Sequence, residues 1–135
     1  MPRKTNANNP ADWLLICEQD IAFIRTSLGD DLAYVPVRAK MAEVLEKLMK
    51  AELIRRGWKL IKTHDLQRLA DELSLRDASL EAEIRPVCVA LSEAYLTSRY
   101  PGFDLDDPDW PALRTQLDAL TALATTIRSR LANPP

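Results

Sequence analysis

Residues 38–66 read RAKMAEVLEKLMKAELIRRGWKLIKTHDL, and the fold turns on how this stretch is taken. Met41, Ala42, Leu45, Leu48, Met49 and Leu53 recur at spacings of three and four, so a helix with a period of about 3.6 residues carries them on one side, facing a core. Glu43 stands four residues before Lys47, and Glu46 four before Lys50. Such helical ion pairs stabilise by about 0.2–0.5 kcal/mol each when exposed, and by themselves they describe a solvated, charged face. The helix ends near Arg56–Gly57. Arg55, Arg56, Lys59 and Lys62 around that end form either a local basic patch or a set of cations complementing the helix dipole. After the connector, residues 58–62, Thr63 caps a short third helix, with Asp65 in its first turn and Leu66, Leu69, Ala70 and Leu73 on one face. At its head stands His64, the single histidine of the chain.

Upstream, Asn9-Pro10 with Asp12 just inside is a helix start: asparagine caps, proline suits the first turn, and the carboxylate meets the positive dipole end. Leu14, Cys17, Ile21, Ile24 and Leu28 then step by three and four, and Gly29 supplies the stop. Trp13 and Phe23 widen the apolar face, so this helix meets more than one neighbour. Residues 1–8 are expected to be a disordered tail and 9–132 a single domain. The second helix begins near Val35, or residues 31–35 form a separate turn, because Pro36 interrupts its opening.

Downstream of Ser79, Leu80, Ile84, Val87, Leu91, Ala94 or Tyr95, and Ser98 describe a fourth helix. Pro86 either kinks it or marks its true start, and Pro101 ends it by Arg99 or Tyr100. The loop GFDLDDPDW, residues 102–110, is acidic. A last helix opens near Pro108 or Pro111 behind an aspartate, with Leu113, Leu117, Leu120, Ala124, Ile127 and Leu131 in step. No stretch alternates with period two, and only 3 glycines occur. Long amphipathic helices on short links imply an all-α fold, an antiparallel up-and-down four-helix bundle with one additional short helix.

At 135 residues, with 47% hydrophobic and 28% charged residues, the chain is an ordinary one-domain globular protein. A net charge of -2 gives none of the basic balance that drives binding to a nucleic-acid backbone. The polar amino terminus and the lack of an apolar run long enough for a bilayer lead to the expectation of a cytoplasmic protein without membrane contact. Cys17 and Cys88 lie far apart among apolar helical residues and are expected to be reduced and buried. One histidine and two isolated cysteines leave no expected metal ligands or cofactor, and Asp104, Asp106, Asp107 and Asp109 lack calcium-loop spacing.

Three segments carry a resemblance: AEVLEKLMKA at 42–51, KTHDL at 62–66 and SRYPG at 98–102. In order and spacing they resemble the signature blocks of the HEPN (higher eukaryotes and prokaryotes nucleotide-binding) domain family. The first block there usually reads Gln-Gln-Ala-x-Glu-Lys-x-x-Lys-Ala; Glu46, Lys47, Lys50 and Ala51 match, while Lys40 and Met41 replace the glutamines. The resemblance implies a helical bundle, a homodimer, a nucleotide ligand, and pairing with a small nucleotidyltransferase as in a toxin–antitoxin-like pair.

It also gathers Glu46, Lys47, Lys50, His64, Arg99 and Tyr100 at one end of the bundle as the expected ligand-binding set. Arginine grips phosphate through two parallel donors, lysine adds a point charge, and tyrosine stacks on a base. The competing reading is an interaction module in which the three blocks are structural, with Glu46 paired to Arg99 across the helix ends. Family members that cut RNA carry an arginine separated from the histidine by four to six intervening residues. Here the corresponding positions upstream of His64 hold Gly57, Trp58 and Lys59. The expectation is therefore a non-catalytic domain with RNA an improbable partner, and an atypical ribonuclease the outlying alternative.

Overall fold

The computed structural model describes residues 4–103 and 107–133; residues 1–3 of the expected tail, and Asp104 and Asp106 of the acidic loop, lie outside them. Six α-helices follow one another: α1 (Pro10–Leu28), α2 (Tyr34–Arg55), α3 (Leu66–Arg76), α4 (Glu81–Leu91), α5 (Ala94–Arg99) and α6 (Trp110–Ala132), with a single 3₁₀ turn, Ala78–Leu80, between α3 and α4. Among the described residues there is no strand, and no helix is long and apolar enough to cross a membrane.

α2 is the centre. It packs against α1, α3, α4, α5 and α6, and it buries Val44, Ala51, Lys50 and Glu52 as well as the expected Met41, Leu45, Leu48, Met49 and Leu53. The solvated face expected from its charges is therefore narrower than the sequence implied. A helix enclosed by five neighbours is buried almost all round, and its charged side chains must find partners on those neighbours.

α1 starts as expected, with Asn9 accepting from the N–H of Ala11 at 3.0 Å, and its stripe from Leu14 to Leu28 is buried throughout. Just upstream, the N–H of Asn6 donates to Asp12 at 2.9 Å and the Trp13 indole to the Ala7 carbonyl at 2.7 Å. α1 stops at Gly29 as expected, but without a left-handed glycine cap. Gly29 keeps right-handed geometry, and the left-handed positions of the turn are Asp31 and Ala33 (φ 50° and 58°). The open end of α1 is satisfied from α6, where Arg114 donates to the Leu28 carbonyl at 2.9 Å. α2 begins at Tyr34, with Pro36 accommodated in its first turn, where no helical N–H is needed.

At its far end the N–H of Trp58 reaches the Leu53 carbonyl (2.9 Å) and that of Gly57 the Ile54 carbonyl (3.0 Å), with Gly57 at φ +86°. This is the left-handed glycine terminus that closes a helix and folds the next residue back onto it. The cap of α3 lies two residues later than expected: Asp65 accepts from the N–H of Arg68 (3.1 Å), while Thr63 accepts from Asp65 (3.1 Å). Aspartate in the extended conformation reaches the third N–H directly.

The expected fourth helix is two helices. Pro86 sits inside α4 without ending it; the break falls at Ser92–Glu93, where the Ser92 hydroxyl donates to the Val89 carbonyl at 3.2 Å. Arg85 ties α4 to α3 through Asp71 (2.8 Å) and Gln67 (2.9 Å). α6 opens behind Asp109, which accepts from the N–H of Ala112 at 3.0 Å, and buries Leu113, Leu117, Leu120, Ala124 and Ile127 as the spacing predicts. Cys17 and Cys88 are buried and unbridged, and burial pushes both thiols up to about 12.

Candidate functional site

Where α2, the head of α3 and α5 meet, a line of polar side chains runs from the interior to the surface. Lys50, only 5% exposed, donates to Glu46 Oε2 at 2.9 Å, and its ammonium lies 5.7 Å from the centre of the Trp13 ring. The other oxygen of Glu46 meets His64 Nδ1 at 2.7 Å. With the carboxylate ionised, Nδ1 is the donor, and Nε2 is left without a partner among the described residues. The His64 ring stacks on Tyr95, centroids 4.7 Å apart and planes 17° from parallel. Arg99 lays its guanidinium 4.5 Å from the same Tyr95 ring.

Four of the six expected residues, Glu46, Lys50, His64 and Arg99, are thus linked in one chain. The other two are not. Lys47 turns to α1 and pairs with Asp20 at 3.0 Å. Tyr100 follows α5 and is 56% exposed, and its N–H closes the helix on Leu96 at 3.1 Å. The link that the sequence reading passed over is Tyr95. It stands four residues before Arg99 on α5, the spacing at which helical side chains touch. Two expected pairings also differ. Glu43 pairs with Lys40 (3.1 Å) rather than Lys47, because Asp20 draws Lys47 toward α1. Glu46 is shared by Lys50 and His64, not by Arg99.

A second cluster explains the arginines after α2. Glu52, its side chain 1% exposed, receives Arg55 at 2.6 Å, Arg56 at 3.1 Å and Arg130 of α6 at 3.0 Å. Arg56 and Arg130 also reach Asp77, at 3.0 and 2.9 Å. Of the expected basic patch only Lys59 and Lys62 are exposed without an ion pair among the described residues; Arg55 and Arg56 are spent on the protein's own carboxylates. Burial pushes the Glu52 carboxyl up, but the hydrogen bonds and charges of Arg55 and Arg130 outweigh it and hold it below the usual range. Hydrogen bonds from Ser79 first, then Arg130, lower Asp77 from 3.8 to about 2.

A group whose folded pKa is depressed contributes stability above its unfolded value and loses it as pH falls through the folded one. The Asp77 contribution is thus complete above about pH 4 and lost on descent toward pH 2. Urea midpoints of the wild type and Asp77→Asn, measured across that window, should converge as pH falls; a gap that stays constant would show that Asp77 is not titrating against the arginines.

Among the described residues no three of His, Cys, Asp and Glu are grouped so as to hold a metal ion. The arrangement can hold an anion at Arg99 and present the His64 Nε2 and aromatic faces beside it.

In comparison with known proteins, the HEPN domain family model matches residues 11–128. No curated protein and no solved structure matches the chain.

Proposed function

The chain belongs to the HEPN domain family, and on that premise we propose that it is a non-catalytic member. Its His64–Arg99 surface binds a nucleotide, or seats the nucleotidyltransferase with which such a subunit pairs. We read α1, α2, α4 with α5, and α6 as the antiparallel up-and-down bundle, with α3 as its additional short helix. The exposed Leu15, Ile16 and Phe23 of α1 fit a homodimer contact.

The observation that carries the binding reading is Arg99. Its guanidinium is held against Tyr95 and has no ion-pair partner among the described residues, so its paired donors are unspent and suited to a phosphate. Tyr95 is not the base platform, since His64 and Arg99 already occupy its ring; the exposed His64 and Tyr100 are the remaining aromatic faces for a base. Against RNA cleavage stands the fate of the nearest upstream arginines. Arg55 and Arg56 are turned to Glu52, and the arginine that shares the Tyr95 ring with His64 is Arg99, downstream of it, outside the arginine-then-histidine order of the members that cut RNA.

The partner reading has its own support in Leu96, Tyr100 and Phe103, close to Arg99 in sequence and 47%, 56% and 51% exposed, since apolar and aromatic side chains are the core of protein contacts.

The test is a thermal-shift series with ATP, GTP and their products. A ligand that binds the folded state raises the melting temperature in proportion to RT ln(1 + [L]/Kd); the shift should vanish in Arg99→Ala and stay small in Arg99→Lys, which keeps the charge but not the fork. If no nucleotide shifts the wild type, the nucleotide reading fails. Co-purification from the native cell then decides the partner reading, which fails if no nucleotidyltransferase is recovered. RNA degraded by the wild type and not by His64→Ala would overturn the non-catalytic assignment.

A further inference from the structure

The side chains of Lys59, Lys62, Arg68 and Arg99 donate to no protein group among the described residues, and all four are exposed. From α1 to α6 every other lysine and arginine donates to a carboxylate, a hydroxyl or a backbone carbonyl. Even Arg25 and Arg38, which have no carboxylate, are spent on the Thr121 hydroxyl and the Ala90 carbonyl. The unspent cations are therefore sorted by place.

They fall in two stretches, residues 58–68 and α5, which His64 joins by stacking on Tyr95 at 4.7 Å between centroids. Lys62 stands two residues before His64 and Arg68 one helical turn after it, while Arg99 lies on the same Tyr95 ring. The carboxylates nearest in sequence are Asp65, which caps α3, and Glu93 just ahead of α5. Glu46 beneath them is already shared by Lys50 and His64. In a chain of net charge -2 this is a local surplus of positive charge.

The connector that carries two of these cations has an open backbone. Residues 58–65 form neither helix nor strand. They run back along α2, because His64 meets Glu46 at 2.7 Å, and Glu46 lies about 14 Å before the end of that helix by the helical rise. The Trp58 N–H closes α2 on Leu53 and the Asp65 N–H turns to the Thr63 hydroxyl. Between them, the backbone N–H and C=O groups of residues 59–64 have no protein partner among the described residues. A run of unpaired backbone groups is where a second extended chain can add itself.

We propose that residues 58–65 and α5 dock an extended acidic segment of a partner protein. Its backbone pairs with the open groups of residues 59–64, and its carboxylates meet Lys59, Lys62, Arg68 and Arg99. Charge of this kind attracts carboxylates, phosphates and anionic lipid alike. The open backbone selects a polypeptide among them, since a polypeptide supplies N–H and C=O groups at a matching spacing. Leu96 and Tyr100, both exposed at the end of α5, offer apolar side chains of the segment a contact. The inference rests on the partner reading only in placing a protein at this surface; it does not need that protein to be a nucleotidyltransferase.

The experiment is fluorescence anisotropy on the full chain with a short labelled peptide of aspartate and glutamate interrupted by leucine, compared with the same peptide carrying amides in place of its acids. The acidic peptide should bind, the amide form should not, and added salt should weaken the binding, as it does between exposed charges. Joint reversal by Lys59→Glu and Lys62→Glu should weaken the peptide by about tenfold or more, and Arg68→Glu, on another element, should weaken it too. These side chains are exposed and unpaired, so the variants should melt as wild type does. Arg25→Glu, the same change on the side where α1 meets α6, should leave binding unchanged. N-methylation of alternate peptide bonds in the probe removes backbone donors and should cost about tenfold, the scale of one or two lost hydrogen bonds. The proposal is overturned if the acidic peptide does not bind, if its amide or N-methylated form binds equally well, or if the lysine reversal has no effect. Tighter binding of single-stranded RNA or of phosphatidylserine vesicles than of the peptide overturns it as well. A nucleotidyltransferase recovered equally by wild type and by the lysine double variant would keep the partner reading and sink the acidic segment.

Discussion

Glu52→Ala should lower the stability by about 3–5 kcal/mol, the usual consequence of removing one partner from a buried ionic cluster. The carboxylate is 1% exposed and stands opposite Arg55, Arg56 and Arg130. Without it Arg56 and Arg130 are left with Asp77 and Arg55 with no carboxylate among the described residues, and because the three come from the end of α2 and from α6 their repulsion acts on the packing between those helices. Urea denaturation would register the loss as a lower midpoint at an unchanged slope. Glu52→Gln separates charge from shape: it keeps the volume and two hydrogen-bonding atoms, yet should recover only part of the loss. A deficit below about 1 kcal/mol in the alanine variant would mean that the arginines relax into water, and the cluster would then be no stronger than a surface pair.

The same cluster marks where local reading stops. Glu52 with Arg55 and Arg56 is three and four residues apart on one helix, a relation that spacing alone supplies. Arg130 lies 78 residues further on, and only the docking of α6 against α2 brings it there. The stripes of α1 and α6 were legible because a period of about 3.6 is a property of the segment itself. The near-complete burial of α2 was not, because it depends on how many neighbours surround the helix. The split between α4 and α5 escaped for a different reason: Pro86 is the stronger breaker by type, yet it lies within α4, and the run ends instead at Ser92–Glu93, where no glycine or proline marks it.

At the site, Glu46 with Lys50 follows from spacing, whereas Glu46 with His64 does not. Tyr100 was favoured over Tyr95 because it falls in the SRYPG block, while the face of α5 that carries Arg99 belongs to Tyr95. A helical spacing applied backwards from Arg99 would have found it.

The second large effect is expected at Lys50. Lys50→Met keeps an apolar stem of similar length in a position only 5% exposed and removes the ammonium, leaving the Glu46 carboxylate, itself 12% exposed, with His64 alone. The cost should be about 2–3 kcal/mol, below the full penalty of an isolated buried charge because one partner remains. Glu46→Gln alone leaves the converse, a buried ammonium whose remaining neighbour is the Trp13 ring at 5.7 Å, a contact weak at that distance. The double variant has neither charge, so it should be less destabilised than the two single losses together, with a coupling of about 1–3 kcal/mol between them. The cycle also reaches the surface, because Glu46 fixes His64, His64 stacks on Tyr95, and Tyr95 carries Arg99. The nucleotide-dependent rise in melting temperature should therefore shrink in Glu46→Gln although that side chain lies beneath the binding surface. Strict additivity of the two substitutions would sever this line at its root: Lys50 would then be solvated by motion of the α1 end, and Arg99 would owe its position to α5 alone.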